Sequence, residues 1–272
     1  MLGETNAQLA RQTQAAFDYE HRHSVRSDLC DLTPVRISEL LADVGLPRAW
    51  YAGKQVLDAG CGAGRWSYAL AELGARVTAL DFTESGVAVT AALLAQYPGC
   101  TAMRADLTTW DVPPDRFDLV FSWGVLHHTS DPPATFRRLV PSVKPGGYAY
   151  VMVYGHTTPL QETVTDVVCA ALRHLSPEAR YEACRAFVLD NANLQQALWP
   201  ALYVYYADSA DQVAYERAVF AAYDCYSPAW NHRYRRAQVE RWFAVAGLVD
   251  IVHTRRVDGA VHVRGKRRET HS

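Results

Sequence analysis

The sequence lacks the signatures of several protein classes. Its six cysteines stand at 30, 61, 100, 169, 184 and 225, and no two form a CxxC pair. That spacing speaks against a zinc site, a CxxxCxxC iron–sulfur cluster and a disulfide framework. Scattered free thiols fit a reducing compartment. There is no surplus of positive charge either: 27 Lys and Arg face 29 Asp and Glu, for a formal net charge of −2. A basic stripe that could neutralise phosphates is not evident, so nucleic acid is not the expected partner. No apolar run is long enough to span a bilayer. Met1-Leu2-Gly3-Glu4 has no basic region followed by an apolar stretch, so no signal peptide and a cytoplasmic location are expected. His21 and His23 share no obvious acid partner, and no metal is expected. There is no internal repeat. What is present is ordinary for a globular chain: 272 residues, 49% apolar and 21% charged, enough for one sizeable core with an insertion.

Thr33-Pro34 is a helix start, with a hydroxyl before a proline at the first helical position. Ile37, Leu40, Leu41 and Val44 follow at helical spacing, and Gly45 ends the run. From residue 55 the pattern changes. Short apolar segments at 55–58, 76–81, 101–106, 117–123 and 148–154 read as strands, with helical segments between them. That alternation predicts a parallel sheet covered on both faces. Residues 155–235 then read as helices rich in Ala, Tyr and Leu, with starts at Ser176-Pro177-Glu178 and at a capping-box pattern of Ser209 and Gln212. A helix over 236–246 and a hairpin around Asp258-Gly259 close the fold.

The most informative stretch is a strand ending in Asp58, followed by Gly60, Gly62 and Gly64 and then a helix. Glycines take positive φ and have no Cβ, so a backbone can approach closely there. Two cofactor classes use such a loop. The dinucleotide pattern GxGxxG, counted from Gly60, needs Gly or Ala at 65, and this chain has Arg65. Asp58 suits a cationic ligand better than a pyrophosphate, and S-adenosylmethionine carries an ammonium and a sulfonium but no phosphate. Asp81, followed by Phe82, ends the second strand at the spacing of a carboxylate that takes both ribose hydroxyls. Asp106 ends the third; its carboxylate can accept from an adenine amino group while Leu107 packs the ring. Each has a plainer reading: Asp81 and Asp106 as turn or helix caps, the glycines as a tight turn.

Together these segments resemble the class I S-adenosylmethionine-dependent methyltransferase family. Val56-Leu57-Asp58-Ala59-Gly60-Cys61-Gly62-Ala63-Gly64 looks like its first motif, Asp81 like its ribose acid and Ala105-Asp106-Leu107 like its adenine segment. Phe117 to Trp123, then Val125-Leu126-His127-His128, and Lys144-Pro145-Gly146-Gly147 match the later segments. The resemblance covers roughly 52–154 and the closing 239–252. It implies an α/β, Rossmann-like, seven-stranded, mostly parallel sheet of order 3-2-1-4-5-7-6, with helices on both faces and its core at 51–154 and 236–267. The residue pattern itself adds a helical insertion between strands 5 and 6, a substrate cap expected at 155–235, and an N-terminal helical lid at 1–50. S-adenosyl-L-methionine is the expected cofactor, bound by Asp58, Gly60, Gly62, Gly64, Asp81, Phe82, Asp106, Leu107, Ser122 and Trp123.

Some family members use a histidine after strand four as a base, at times with a tyrosine from the N-terminal lid. The corresponding candidates are His127 and Tyr19, and His156 lies where members place substrate contacts. The plainer readings are a packing role for His127, and for Ser122 and Trp123, and a solvated loop for His156. The aromatics Trp199, Tyr203, Tyr205, Tyr206, Tyr215, Tyr223, Tyr226 and Trp230 could wall an acceptor pocket, form a core or cover a homo-oligomer surface. Transfer to oxygen, nitrogen or carbon of a small molecule is expected, with a specialised-metabolite acceptor by analogy. A non-catalytic protein that keeps the cofactor pocket is the alternative.

Overall fold

The computed structural model describes residues 4–23 and 33–269. Cys30 and the side chain of Thr33 lie outside the described residues. In chain order the elements are α1 (Asn6–His23), α2 (Thr33–Val44), β1 (Gln55–Ala59), α3 (Arg65–Glu72), β2 (Arg76–Asp81), α4 (Glu84–Leu94), β3 (Thr101–Arg104), β4 (Phe117–Trp123), α5 (Pro132–Leu139), β5 (Val143–Tyr154), α6 (Pro159–Leu172), α7 (Pro177–Cys184), β6 (Val188–Leu189), α8 (Ala192–Leu198), β7 (Tyr205–Tyr206), α9 (Gln212–Tyr226), α10 (Arg236–Val245), β8 (Leu248–Val257) and β9 (Ala260–Arg267). The chain divides into two compact units: Met1–Glu20 with His156–Asn231, and His21–Gly155 with His232–Ser272.

The second unit is built on a seven-stranded sheet of order β3-β2-β1-β4-β5-β9-β8. This is the order the family resemblance implies, with the two closing strands counted as seventh and sixth. Strands β1 to β5 pair in parallel, and β9 runs antiparallel to both β5 and β8. Alternation along the strands splits the core between the two faces. Val56, Leu119, Phe121 and Tyr150 pack on one side with Leu40 and Val44 of α2 and Leu70 of α3. Leu57, Val120, Ala149 and Val151 pack on the other with Phe136 of α5 and Val239 and Phe243 of α10. The strand order reverses between β1 and β4, so the carboxyl ends of β1, β2 and β4 border a crevice at the switch point, where open α/β sheets take ligands.

The first unit is helical, with a small parallel sheet of β6 and β7. Its core gathers Ala16, Cys169, Tyr181, Cys184, Val219, Tyr223 and Tyr226. Helices α6 to α9 each begin on a side-chain cap: Thr158, Ser176, Asn191 and Asp211 accept from the backbone N–H three residues on. Helix α9 does not start on the expected capping pattern of Ser209 and Gln212. Asp211 stands directly before the first helical residue, and its carboxylate receives the Ala214 N–H at 3.0 Å. Among the described residues, no helix is long and apolar enough to cross a membrane.

Candidate functional site

β1 delivers Asp58 to the switch point and the chain then turns through three left-handed glycines, with φ of 92° at Gly60, 52° at Gly62 and 89° at Gly64. The space beside each is taken by the protein itself. A Cβ on Gly60 would stand 2.4 Å from Val125 Cγ1, one on Gly62 2.9 Å from His21 Nε2, and one on Gly64 2.7 Å from Thr90 Oγ1. The glycines therefore let side chains pack into the loop as well as making its turns.

The loop's amide groups are largely spent internally. Gly60 and Cys61 N–H both donate to Leu80 O at 2.8 Å, and Gly64 N–H donates to Cys61 O at 2.9 Å. Gly62 N–H donates to Asp81 Oδ2 at 2.9 Å. A pyrophosphate cradle needs such donors pointing at the ligand. Here four of them are committed, one to a carboxylate that would itself repel a phosphate. That removes four donors a phosphate could have used.

Asp81 is the most organised acid. It is buried at the end of β2, and besides Gly62 N–H it accepts the Thr83 N–H at 2.8 Å and the Thr83 hydroxyl at 2.6 Å, both on Oδ1. Asp58 is almost fully buried and accepts the Ser67 hydroxyl at 2.6 Å. Burial, with the Asp81 charge adding to it, pushes its carboxyl up to about 7 despite the Ser67 bond. Asp106 is exposed and accepts from the Thr108 N–H and hydroxyl, a local turn, with Leu107 buried beside it. Phe82 is half-buried next to Asp81.

Ser122 and Trp123 end β4. The Ser122 hydroxyl donates to Ala59 O at 2.9 Å, tying β4 to the end of β1. The Trp123 indole N–H donates to Asp43 Oδ2 at 2.8 Å, and Arg65 lies 4.6 Å over its ring. Asp43, buried on α2, also accepts from Arg255 at 2.7 Å. The residue that breaks the dinucleotide pattern thus rests on the Trp123 ring.

His127 is fully buried against the Tyr154 ring, with centroids 3.9 Å apart, and among the described residues neither ring nitrogen has a hydrogen-bond partner. Burial, together with His128 and His232, holds its pKa well below the ordinary histidine value, so the ring is neutral. His156 and Tyr19 belong to the helical unit. His156 is exposed and its Nδ1 lies 3.0 Å from Glu162 Oε1. Tyr19 packs between Tyr181 and Tyr223, at centroid distances of 5.7 and 5.6 Å, and burial with nearby glutamates raises its phenol pKa. Much of the aromatic run at 199–230 is core: Tyr223 and Tyr226 are buried and the Tyr226 hydroxyl donates to Tyr203 O. Trp199 and Tyr206 remain exposed.

In the sequence His21 stood out only as a metal candidate, and Thr83, Gly86 and Asp43 not at all. Thr83 carried a usable signal, because a hydroxyl two residues after a strand-ending acid can close a turn onto it. The other three contacts join distant parts of the chain.

A family model described as a methyltransferase domain matches residues 56–147. A ubiquinone biosynthesis O-methyltransferase of Pseudomonas savastanoi pv. phaseolicola is 35% identical over 153 residues, 55% of this chain and 63% of that protein. One of the same name from Pseudomonas aeruginosa is 34% identical over 154 residues, 56% of this chain and 64% of that protein. The chain thus matches somewhat less than two thirds of the length of these curated relatives. A solved Burkholderia thailandensis 1,6-didemethyltoxoflavin-N1-methyltransferase, with 1,6-didemethyltoxoflavin and S-adenosylhomocysteine bound, shares the fold with a TM-score of 0.57 at 14% identity, over 99% of this chain and 93% of that one.

Proposed function

We propose that the chain transfers a methyl group to a small-molecule acceptor, and the premise is that it belongs to the class I, Rossmann-like S-adenosylmethionine-dependent methyltransferase family. The cofactor of that family is S-adenosylmethionine. The observation that carries the reading is the pairing of an anchored, strand-ending carboxylate at Asp81 with a glycine loop in which the Gly60, Cys61, Gly62 and Gly64 amides are already committed within the protein. Asp81 would hold the ribose hydroxyls. Asp58, Gly60, Gly62 and Gly64 would shape the bed for the amino-acid end, and Asp106 with Leu107 and Phe82 the adenine end. Ser122 and Trp123 would form the wall from β4.

When bound, the cofactor supplies an electrophilic methyl on a sulfonium, already a good leaving group. The protein's share is alignment, which at its best supplies about 7–11 kcal/mol. A base adds roughly 10²–10⁴-fold where the acceptor must lose a proton. His127 is the nearest candidate in sequence to the β4 wall: it is neutral and so able to accept a proton, but its lowered pKa makes it a weak base. His156, oriented by Glu162, and Tyr19 are the candidates on the helical unit, which we assign to acceptor selection.

The named activities of the two relatives and of the structural neighbour involve oxygen and nitrogen acceptors, and a small biosynthetic or specialised metabolite in the cytoplasm is the class we propose. A second reading, a cofactor-binding protein without transfer, is favoured by the burial of His127. Turnover of methyl-labelled S-adenosylmethionine against a panel of phenols, amines and enols separates the two. The first reading predicts label transfer that His127→Ala or His156→Ala lowers while S-adenosylhomocysteine binding persists. Binding with no transfer to any class would favour the second, and unchanged turnover in both variants would remove these histidines from the mechanism.

A further inference from the structure

In the last turn of α1, His21 packs beside the glycine loop. His21 is 8% exposed, and its Nδ1 lies 2.8 Å from the Thr83 hydroxyl oxygen. Thr83 has one hydroxyl hydrogen, and its oxygen lies 2.6 Å from Asp81 Oδ1. An ionised carboxylate only accepts, so the threonine hydrogen goes to Asp81. His21 Nδ1 must then be the donor to Thr83. The result is a directed chain, Nδ1–H to Oγ1–H to Oδ1, ending on the acid assigned to the ribose.

The ring occupies a slot left by two missing Cβ atoms. A Cβ on Gly62 would come within 2.9 Å of Nε2, and one on Gly86 within 2.7 Å of Nδ1. Gly62 is explained by its positive φ; Gly86 is not, because it sits in α4 without one. Glycine inside a helix is unfavourable for backbone entropy. At 86 it makes room: a Cβ would also lie 2.7 Å from Thr83 Oγ1 and 2.9 Å from Gly62 O. The other side of the same loop is fixed by Thr90, whose hydroxyl donates to Gly62 O at 2.8 Å.

We propose that His21 is a positioning residue for the cofactor: seated between Gly62 and Gly86, it acts through Thr83 to hold the Asp81 carboxylate in the orientation that receives a ribose diol. The inference rests on the methyl-donor reading above. A carboxylate fixed on one side by Gly62 N–H and on the other by the His21–Thr83 chain keeps its remaining lone pairs aimed in one direction. Without the chain, Thr83 keeps its hydroxyl bond but that hydroxyl is no longer held from behind. The loss should fall on recognition of the sugar.

The test is calorimetric titration of the full chain with S-adenosylhomocysteine and with its 2′-deoxyribosyl analogue. The proteins are the wild type, His21→Ala, His21→Asn, Thr83→Val and Thr83→Ser, with melting temperatures checked for each. The wild type should prefer the ribosyl ligand. His21→Ala and Thr83→Val should weaken S-adenosylhomocysteine by about three- to tenfold, the scale of one net hydrogen bond. They should weaken the deoxy analogue less, so the preference narrows. His21→Asn, which can place an amide N–H near the Nδ1 position, and Thr83→Ser should restore much of it. Equal affinities in wild type and His21→Ala would overturn the proposal. So would an equal loss for both ligands without rescue by Asn. No binding by the wild type would overturn the cofactor reading itself, and is distinguishable because it precedes any variant.

Discussion

Replacing Asp58 by Asn should make the protein's stability less sensitive to pH. Asp58 is 1% exposed, and burial raises its pKa from 3.8 to about 7. For an acid raised in the folded state, the folded protein binds the extra proton. Stability is therefore favoured at low pH and falls as pH rises from the unfolded value, near 4, through about 7. A shift of this size corresponds to roughly 4 kcal/mol against folding at pH 8, above that window, and under ~2 kcal/mol at pH 5, within it. That is a large share of a typical ~5–15 kcal/mol stability. Asn retains an oxygen for the Ser67 hydroxyl bond and does not ionise. Any pH-independent difference between Asp and Asn cancels when the two proteins are compared at two pH values. Urea unfolding of wild type and Asp58→Asn at about pH 5 and pH 8 should thus show the variant gaining ~2–3 kcal/mol relative to wild type between them. A constant difference across that range would refute the account of a carboxyl whose ionisation burial opposes.

Gly60→Ala should destabilise the fold by roughly 2–5 kcal/mol, combining a left-handed φ with overpacking against Val125; Val125→Ala in the same chain should recover only the packing part in a denaturant titration. Asp43→Ala removes the acceptor shared by the Trp123 indole and Arg255, and should cost about 2–3 kcal/mol in urea unfolding, because Arg255 can turn to water while the indole N–H is left without its partner. A loss under ~0.5 kcal/mol would show that water replaces the carboxylate for both.

Much of the sheet was legible because its determinants are local. The apolar segments of β1, β2 and β4, the glycine turn after Asp58 and the cap-then-proline start at Ser176-Pro177 announce themselves within a few residues. Boundaries moved where the pattern was weaker: β3 stops at Arg104, and β5 starts at Val143, with Lys144 to Gly147 inside the strand. The crevice was legible only in part. Asp58 and the three glycines lie within seven residues and Asp81 ends the neighbouring strand, so the chain order places them together. His21 and Asp43 reach Thr83 and Trp123 across 62 and 80 residues, and no local pattern encodes that meeting. The commitment of the loop amides was equally hidden, since it depends on how close Leu80 and Asp81 lie to the turn.

The central claim is that this crevice holds the methyl donor, and one calorimetric experiment addresses it directly. S-adenosylhomocysteine should bind the wild-type chain, NAD should give no heat, and Asp81→Ala should weaken S-adenosylhomocysteine by roughly tenfold or more, about 1.4 kcal/mol. Binding of NAD with no heat from S-adenosylhomocysteine would contradict the account.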